Sequence, residues 1–329
     1  MVSLRRSMAA FVGCVLLGGA ASPCFSSKSL AQAWPTRTVK VVVPYASGGI
    51  TDTMARLTSD RLSRMLGQTF YIEDKPGAGG AIGIDYALNS APDGYTILFV
   101  GSTLFTVLPL AQKVNYEPLK DLVPISITGT NGLVLVAAKD APYSTLREFI
   151  DYARARPGKI TYSSGGPATN NHLPMAWLAG LEHLDMVHVP FRGGQQALQA
   201  VLANSVDVHF GNSSDIIEPL KGGQVKALAV STKQRIPQLP DVPTVAETIP
   251  EFEYVAWNGY AAAGGVPQEA TGRLVEALQI IARDAEVVRL LANLGIESVG
   301  TTQQQAVESI RRDMPIYSKI VDMAGVRLK

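Results

Sequence analysis

The 329-residue chain predicts an α/β protein of two lobes joined by a two-segment hinge. Three observations carry that expectation. From Trp34 onward, short β-branched runs alternate with helix-length amphipathic segments, the pattern of parallel sheets covered by helices. The roughly 296 residues beyond the leader exceed what one usual domain holds. Pro237, Pro240 and Pro243 can continue neither a helix nor a central strand, and they read as a stiff exposed crossing segment.

Residues 1–33 match a secretory signal peptide: Arg5 and Arg6, an apolar run from Met8 to Ala21, then Ala31-Gln32-Ala33, with cleavage expected before Trp34. The apolar run is shorter than the roughly 20 residues a membrane span needs. A lipid anchor at Cys24 is disfavoured by Pro23 in front of it. Cys14 and Cys24 both fall in this leader, so the exported chain is expected to carry no disulfide, thiolate nucleophile or cysteine metal site. Without Arg5, Arg6 and Lys28, the 29 basic residues fall to 26 against 28 acidic ones, a net charge near −2 that argues against a nucleic-acid partner. A periplasmic monomer is the expectation.

Strands are predicted at residues 38–43, 69–72, 95–100, 133–138, 160–162, 186–189, 206–210 and 228–230. The helix at 52–66 sets Met54, Leu57, Leu62, Met65 and Leu66 along one broad face and stops at Gly67. Further helices are predicted at 81–89, 145–156, 169–180, 194–203, 215–222, 267–283, 284–294 and 302–323, which leaves the last third of the chain almost all helical. One lobe is expected to take residues 34–139 and 254–329, the other residues 140–253.

Two similar turns carry the most chemistry. Tyr45-Ala46-Ser47-Gly48-Gly49-Ile50-Thr51-Asp52 comes after the first strand, and Ser164-Gly165-Gly166-Pro167-Ala168-Thr169-Asn170 after the fifth; each is strand, Ser-Gly-Gly, helix start. Glycine lets backbone approach a ligand, and the first-turn amides of a helix lack intrahelical acceptors. In a parallel sheet such turns lie at the carboxyl ends of the strands, where ligands bind, so one turn per lobe gives a cleft with anion-receptive walls. Ser102 and Thr103 come after the third strand as hydroxyl donors. Asn212 and Asp215 hold the equivalent place after Phe210. His172 either orients the second loop or approaches the ligand. Arg192 is either a cleft cation for a second carboxylate or a solvated side chain. Tyr45 and Trp257 are candidate aromatic walls, although core packing explains Trp257 as well.

Other chemistries find little support. In Gly77-Ala78-Gly79-Gly80-Ala81-Ile82-Gly83 the sixth position of a dinucleotide fingerprint is Ile82, and Asp85 comes too soon to hold a ribose; a surface loop packed on the first helix is expected instead. His172, His183, His188 and His209 form no spaced ligand pair, so no metal is expected. No Gly-x-Ser-x-Gly elbow occurs, and no cofactor is expected.

Five motifs, in order, are similar to those of the Bug-type (TctC-like) receptors of tripartite tricarboxylate transporters. They are Val43-Pro44-Tyr45-Ala46-Ser47-Gly48-Gly49-Ile50-Thr51-Asp52, Lys75-Pro76-Gly77-Ala78-Gly79-Gly80, Ala91-Pro92-Asp93-Gly94-Tyr95-Thr96, Val189-Pro190-Phe191-Arg192-Gly193 and Leu239-Pro240-Asp241-Val242-Pro243-Thr244. The resemblance implies a type II periplasmic-binding-protein fold, a carboxylate ligand held by the loops at residues 45–52 and 164–170 through backbone amides, hydroxyls and water, and delivery to large and small inner-membrane permease subunits. Three positions depart from the family pattern: Ala168 where glycine is usual, Asp74 where asparagine is common, and Val107-Leu108 where Asn-Pro is frequent. The expected function is a receptor for a dicarboxylate, an acidic amino acid or an aromatic acid. The alternatives are a ligand-sensing partner of a histidine kinase and, with no nucleophile motif to support it, a periplasmic α/β hydrolase.

Overall fold

A computed structural model describes residues 33–328, and the expected leader lies outside them apart from its last residue. The chain runs β1 (Val39–Val43), α1 (Ile50–Leu66), β2 (Phe70–Asp74), α2 (Ala81–Leu88), β3 (Thr96–Gly101), two single turns α3 (Thr103–Thr106) and α4 (Leu108–Ala111), and then the long β4 (Leu122–Ala138). Next come α5 (Leu146–Arg154), β5 (Ile160–Ser164), α6 (Leu173–Leu181), β6 (Met186–Pro190), α7 (Gly194–Leu202), β7 (Val208–Asn212), α8 (Ser213–Lys221) and β8 (Val225–Val230). The last part holds β9 (Val255–Ala263), α9 (Gln268–Ile281), α10 (Ala285–Asn293), β10 (Glu297–Ser298) and α11 (Gln303–Met323).

β4 joins two groups of strands. Along Leu122–Gly132 it pairs antiparallel with β9, which continues into β3 and the parallel β1 and β2. From Leu133 on it pairs with β7 and β8, and β7 continues into the parallel β5 and β6. The chain therefore passes from one group to the other between Gly132 and Leu133. The return is fixed by Ser231, wholly buried, whose hydroxyl accepts from the Leu133 amide and donates to the Tyr254 carbonyl just before β9. α11 also spans both groups: Ala306 and Ile310 pack with Leu98 and Trp257, whereas Tyr317, Ile320 and Val321 pack with Leu178 and Phe210. Pro315, which cannot donate an intrahelical bond, sits between those halves.

Local sequence explains several helix ends. α1 stops at Gly67, whose φ of 71° lets its amide reach Ser63 O. Thr145 with Glu148 and Thr302 with Gln305 close capping boxes on α5 and α11.

Three expectations need correction. The last third is not almost all helical, because β9 runs through it; its alanine-rich sequence favours helix, but burial on both faces between β3 and β4 overrides that preference. The first half of β4 hides behind Pro124, Gly129, Asn131 and Gly132, which the strand accommodates with register shifts. The helix expected from residue 169 starts only at Leu173, since Pro174 has no amide proton to bond back to Asn170 and fits only in a first turn.

Candidate functional site

A cleft of about 850 Å³ lies where the two strand groups face each other. Eleven of the nineteen candidate positions line it: Tyr45, Ala46, Gly48, Gly49 and Thr51 from the first loop, Thr103, then Ala168, Thr169 and Asn170 from the second loop, and Asn212 with Asp215. Ser47, Asp52, Ser102, Ser164, Gly165, Gly166, His172 and Arg192 are not among its lining residues.

The first loop presents its backbone. Gly49 precedes α1 without any side-chain cap, so the amides of the first turn point at the cleft unpaired by helix geometry. Gly48 takes φ 86°, and its amide donates to Asp52 Oδ2 at 2.7 Å. Asp52, 3 % exposed, is thereby a brace, with Arg56 ion-paired to it at 2.8 Å and to Asp74 at 2.9 Å. Burial and the neighbouring Asp52 push the Asp74 carboxyl up. Thr51 Oγ1 donates to Asn258 Oδ1 at 2.9 Å, which leaves the Asn258 amide hydrogens for the cleft. Burial pushes the Tyr45 hydroxyl up to about 12, so it stays protonated beside Thr103 and the Gly101 backbone.

The second loop is organised from behind. Ser164 Oγ lies 2.6 Å from His188 Nε2 and accepts from the Gly166 amide at 3.0 Å. His172 Nδ1 accepts from the Ala168 amide at 3.2 Å, which leaves Nε2 as its donor toward Tyr162 Oη, 3.2 Å away. His172 and His188 stack with ring centroids 3.9 Å apart. Burial and then the adjacent His188 lower His172 to about 4, and burial lowers His188. His172 therefore orients the loop and does not line the cleft. Gly165 packs on backbone, since a Cβ there would sit 3.0 Å from Gly194 N. Ser102 is 1 % exposed, and Arg192 is a solvated side chain outside the cleft.

Several lining residues were not legible as such. Asn131 and Asn258 come from the middles of β4 and β9; a lone amide in an apolar run was the only signal, and it marks a strand position that faces solvent or ligand. Gly77, Gly79 and Gly80 line the cleft, so their loop is a wall of the site and not a surface loop packed on α1; Gly83 fits against Pro44, where a Cβ would come within 2.8 Å of Cα. Val107, Leu108 and Ala111 add an apolar side. Because strand side chains alternate, Thr130 and Trp257 face away from Asn131 and Asn258 into a second cavity of about 580 Å³, and Trp257 packs on Phe105 at 5.8 Å, as core. Among the described residues no cluster fit to hold a metal occurs, and no helix is long and apolar enough to cross a membrane.

Comparison with known proteins agrees with this architecture. The family described as "Tripartite tricarboxylate transporter family receptor" matches residues 54–326. Protein BugT of Bordetella pertussis is 30% identical over 302 residues, covering 91% of this chain and 93% of that protein. A structure of an R. palustris protein with adipate aligns at a TM-score of 0.79 and 28% identity, over 89% of this chain and 99% of that one. MatC from Rhodopseudomonas palustris with bound malate aligns at 0.75 and 30% identity, over 87% and 99%. The fold is the α/β fold of these solute-binding proteins, and the chain belongs to the tripartite tricarboxylate transporter receptor family, the Bug-type or TctC-like proteins, which are receptors and not enzymes.

Proposed function

We propose that the protein is an extracytoplasmic receptor that captures a small carboxylate in the 850 Å³ cleft, the two strand groups acting as lobes hinged on β4 and β9. The observation that carries this reading is the uncapped start of the 17-residue α1 opening into the cleft beside the Asn258 amide. Orphan amides and the positive end of the helix dipole favour an anion there without any basic side chain. Charge-assisted hydrogen bonds contribute roughly 1.5–3 kcal/mol each. Three or four of them, less the cost of association, account for a micromolar constant, about −8 kcal/mol. Thr103 and Asn170 complete the donor set, while Ser164 and His172 hold the second loop in place. The adipate- and malate-bound relatives support carboxylate capture. The leader-like first 33 residues and the family support a periplasmic location and delivery to membrane permease subunits.

The test is a thermal-shift screen of refolded, ligand-stripped protein against mono- and dicarboxylic acids. A binder at about a hundredfold over its dissociation constant stabilises the native state by about 2.7 kcal/mol, a rise of several degrees in Tm. A flat response across acids of all lengths would remove the reading.

A further inference from the structure

The cleft is electrically lopsided. No lysine, arginine or histidine lines it among the described residues, and its one charged lining side chain is Asp215. A floor of three asparagines runs from Thr51 to this carboxylate. Thr51 bonds Asn258; Asn131 occupies a neighbouring position on the same face of the adjoining strand; Asn131 Nδ2 donates to Asn212 Oδ1 at 3.3 Å; and Asn212 Nδ2 donates to Asp215 Oδ2 at 3.1 Å. Gln195 Nε2 donates to Asp215 Oδ1 at 2.7 Å. One amide hydrogen each of Asn212 and Gln195 goes to Asp215, and one of Asn131 goes to Asn212 Oδ1, so the Asp215 carboxylate, with lone pairs left over, makes this the acceptor end of the cleft. The α1 end offers donors.

We infer that Asp215 sets the ligand class: the receptor takes a monocarboxylate whose far end carries an ammonium or another strong donor, and it discriminates against dicarboxylates. The inference rests on carboxylate capture at the start of α1. Asp215 lies in the first turn of α8 with the helix dipole behind its carboxylate, and both its oxygens are held by neutral amides that cancel none of its charge. An ammonium placed there gains an opposite charge in a partly desolvated site, while a second carboxylate meets a like charge. Arg192, the side chain that would have received a second carboxylate, lies outside the cleft.

Isothermal titration at neutral pH with three matched pairs separates the classes: succinate and 3-aminopropanoate, glutarate and 4-aminobutanoate, adipate and 5-aminopentanoate. Each pair shares its spacer and differs only in the terminal group. At the best-fitting spacer, the unmodified protein should bind the amino acid at least tenfold more tightly, about 1.4 kcal/mol. Asp215→Asn should erase most of that ratio by weakening the amino acid and strengthening the dicarboxylate. Gln195→Lys, which leaves Asp215 in place and sets a cation beside it, should shift the ratio in the same direction. Equal or tighter dicarboxylate binding by the unmodified protein, or a ratio unmoved in both variants, overturns the inference and leaves carboxylate capture standing. If no compound of either series binds, carboxylate capture itself fails and the inference falls with it.

Discussion

The two Ser-Gly-Gly loops read alike and are built differently. At Ser47-Gly48-Gly49 the chain enters α1 at once, and the backbone donors face the cleft. At Ser164-Gly165-Gly166 the serine folds back onto Gly166, the first glycine packs against the Gly193-Gly194 backbone, and the helix begins seven residues after Gly166, at Leu173. The residues after the glycines decide the outcome: Ile50-Thr51-Asp52 begins a helix and braces it, whereas Pro167 and Pro174 delay one. A shared motif therefore identifies two places on the same cleft without assigning them the same task. The first loop is a donor surface, and the second is a positioned wall latched by histidines.

The largest effect should come from breaking the first loop's task alone. Thr51→Phe puts a ring among the α1 donors at a half-buried, cleft-facing position, and should weaken carboxylate binding by a hundredfold or more, about 2.7 kcal/mol, with little change in Tm. Ser164→Ala should do the reverse in kind. It cuts the contacts to His188 and to the Gly166 amide, so Tm should fall by the equivalent of about 1–3 kcal/mol, and binding should fall through the displaced wall. Titration and melting of both variants check this, and equal signatures would erase the distinction between the loops.

Acid should unlatch the second loop. His172 is held at about 4, below its ordinary 6.5, by burial and by His188 stacked on it; burial lowers His188 as well. The unfolded chain takes these protons more readily than the folded one, so the contribution to stability is whole above pH 6.5 and drains as pH falls toward 4. His209, lowered to about 4 by burial beneath the same strand group, drains in the same window. Melting curves between pH 7.5 and 4.5 should show a falling Tm. In His188→Gln the slope should be shallower, because one of the two stacked titrating rings is gone, with His209 as the unchanged background. An identical slope in that variant would remove the stacked pair from the account.

Much of the site is legible in the sequence, and the limits have physical causes. The first loop can be read because everything that shapes it is local: a strand end, two glycines and an uncapped helix start within eight residues. Sequence spacing places a residue on a helix but not the direction of its carboxylate, so Asp52, expected as a ligand contact, turns back to the Gly48 amide instead. Ser164, expected as a ligand contact in the second loop, takes the loop's far face for the same reason, and His172, just beyond that loop, proves to orient it. Asn131 and Asn258 leave only a lone amide each in the sequence, since the first half of β4 and all of β9 become strands through tertiary pairing, β4 with β9 and β9 also with β3, and no local preference announces a strand that contains Gly129, Gly132 or three consecutive alanines.

The smallest effect gives the sharpest comparison, because it exchanges the loops' backbone chemistry. Gly48 has φ 86° with open space around a would-be Cβ, while Ala168 carries a Cβ at φ 61°, the position where the family pattern has glycine. A left-handed conformation costs a non-glycine residue roughly 1–2 kcal/mol. Part of that is offset by the lower unfolded-state entropy of alanine, roughly 0.4–1 kcal/mol. Gly48→Ala should therefore lower stability by about 1 kcal/mol, a shift of about 2–4 °C, and Ala168→Gly should raise it by less than that. The Gly48 change meets open space and reads backbone strain alone, whereas Ala168→Gly also removes a methyl packed against the core, which subtracts from its gain. Opposite shifts show that the second loop stores strain which the first avoids, and shifts of the same sign would show that the packing of the Ala168 methyl outweighs its backbone strain.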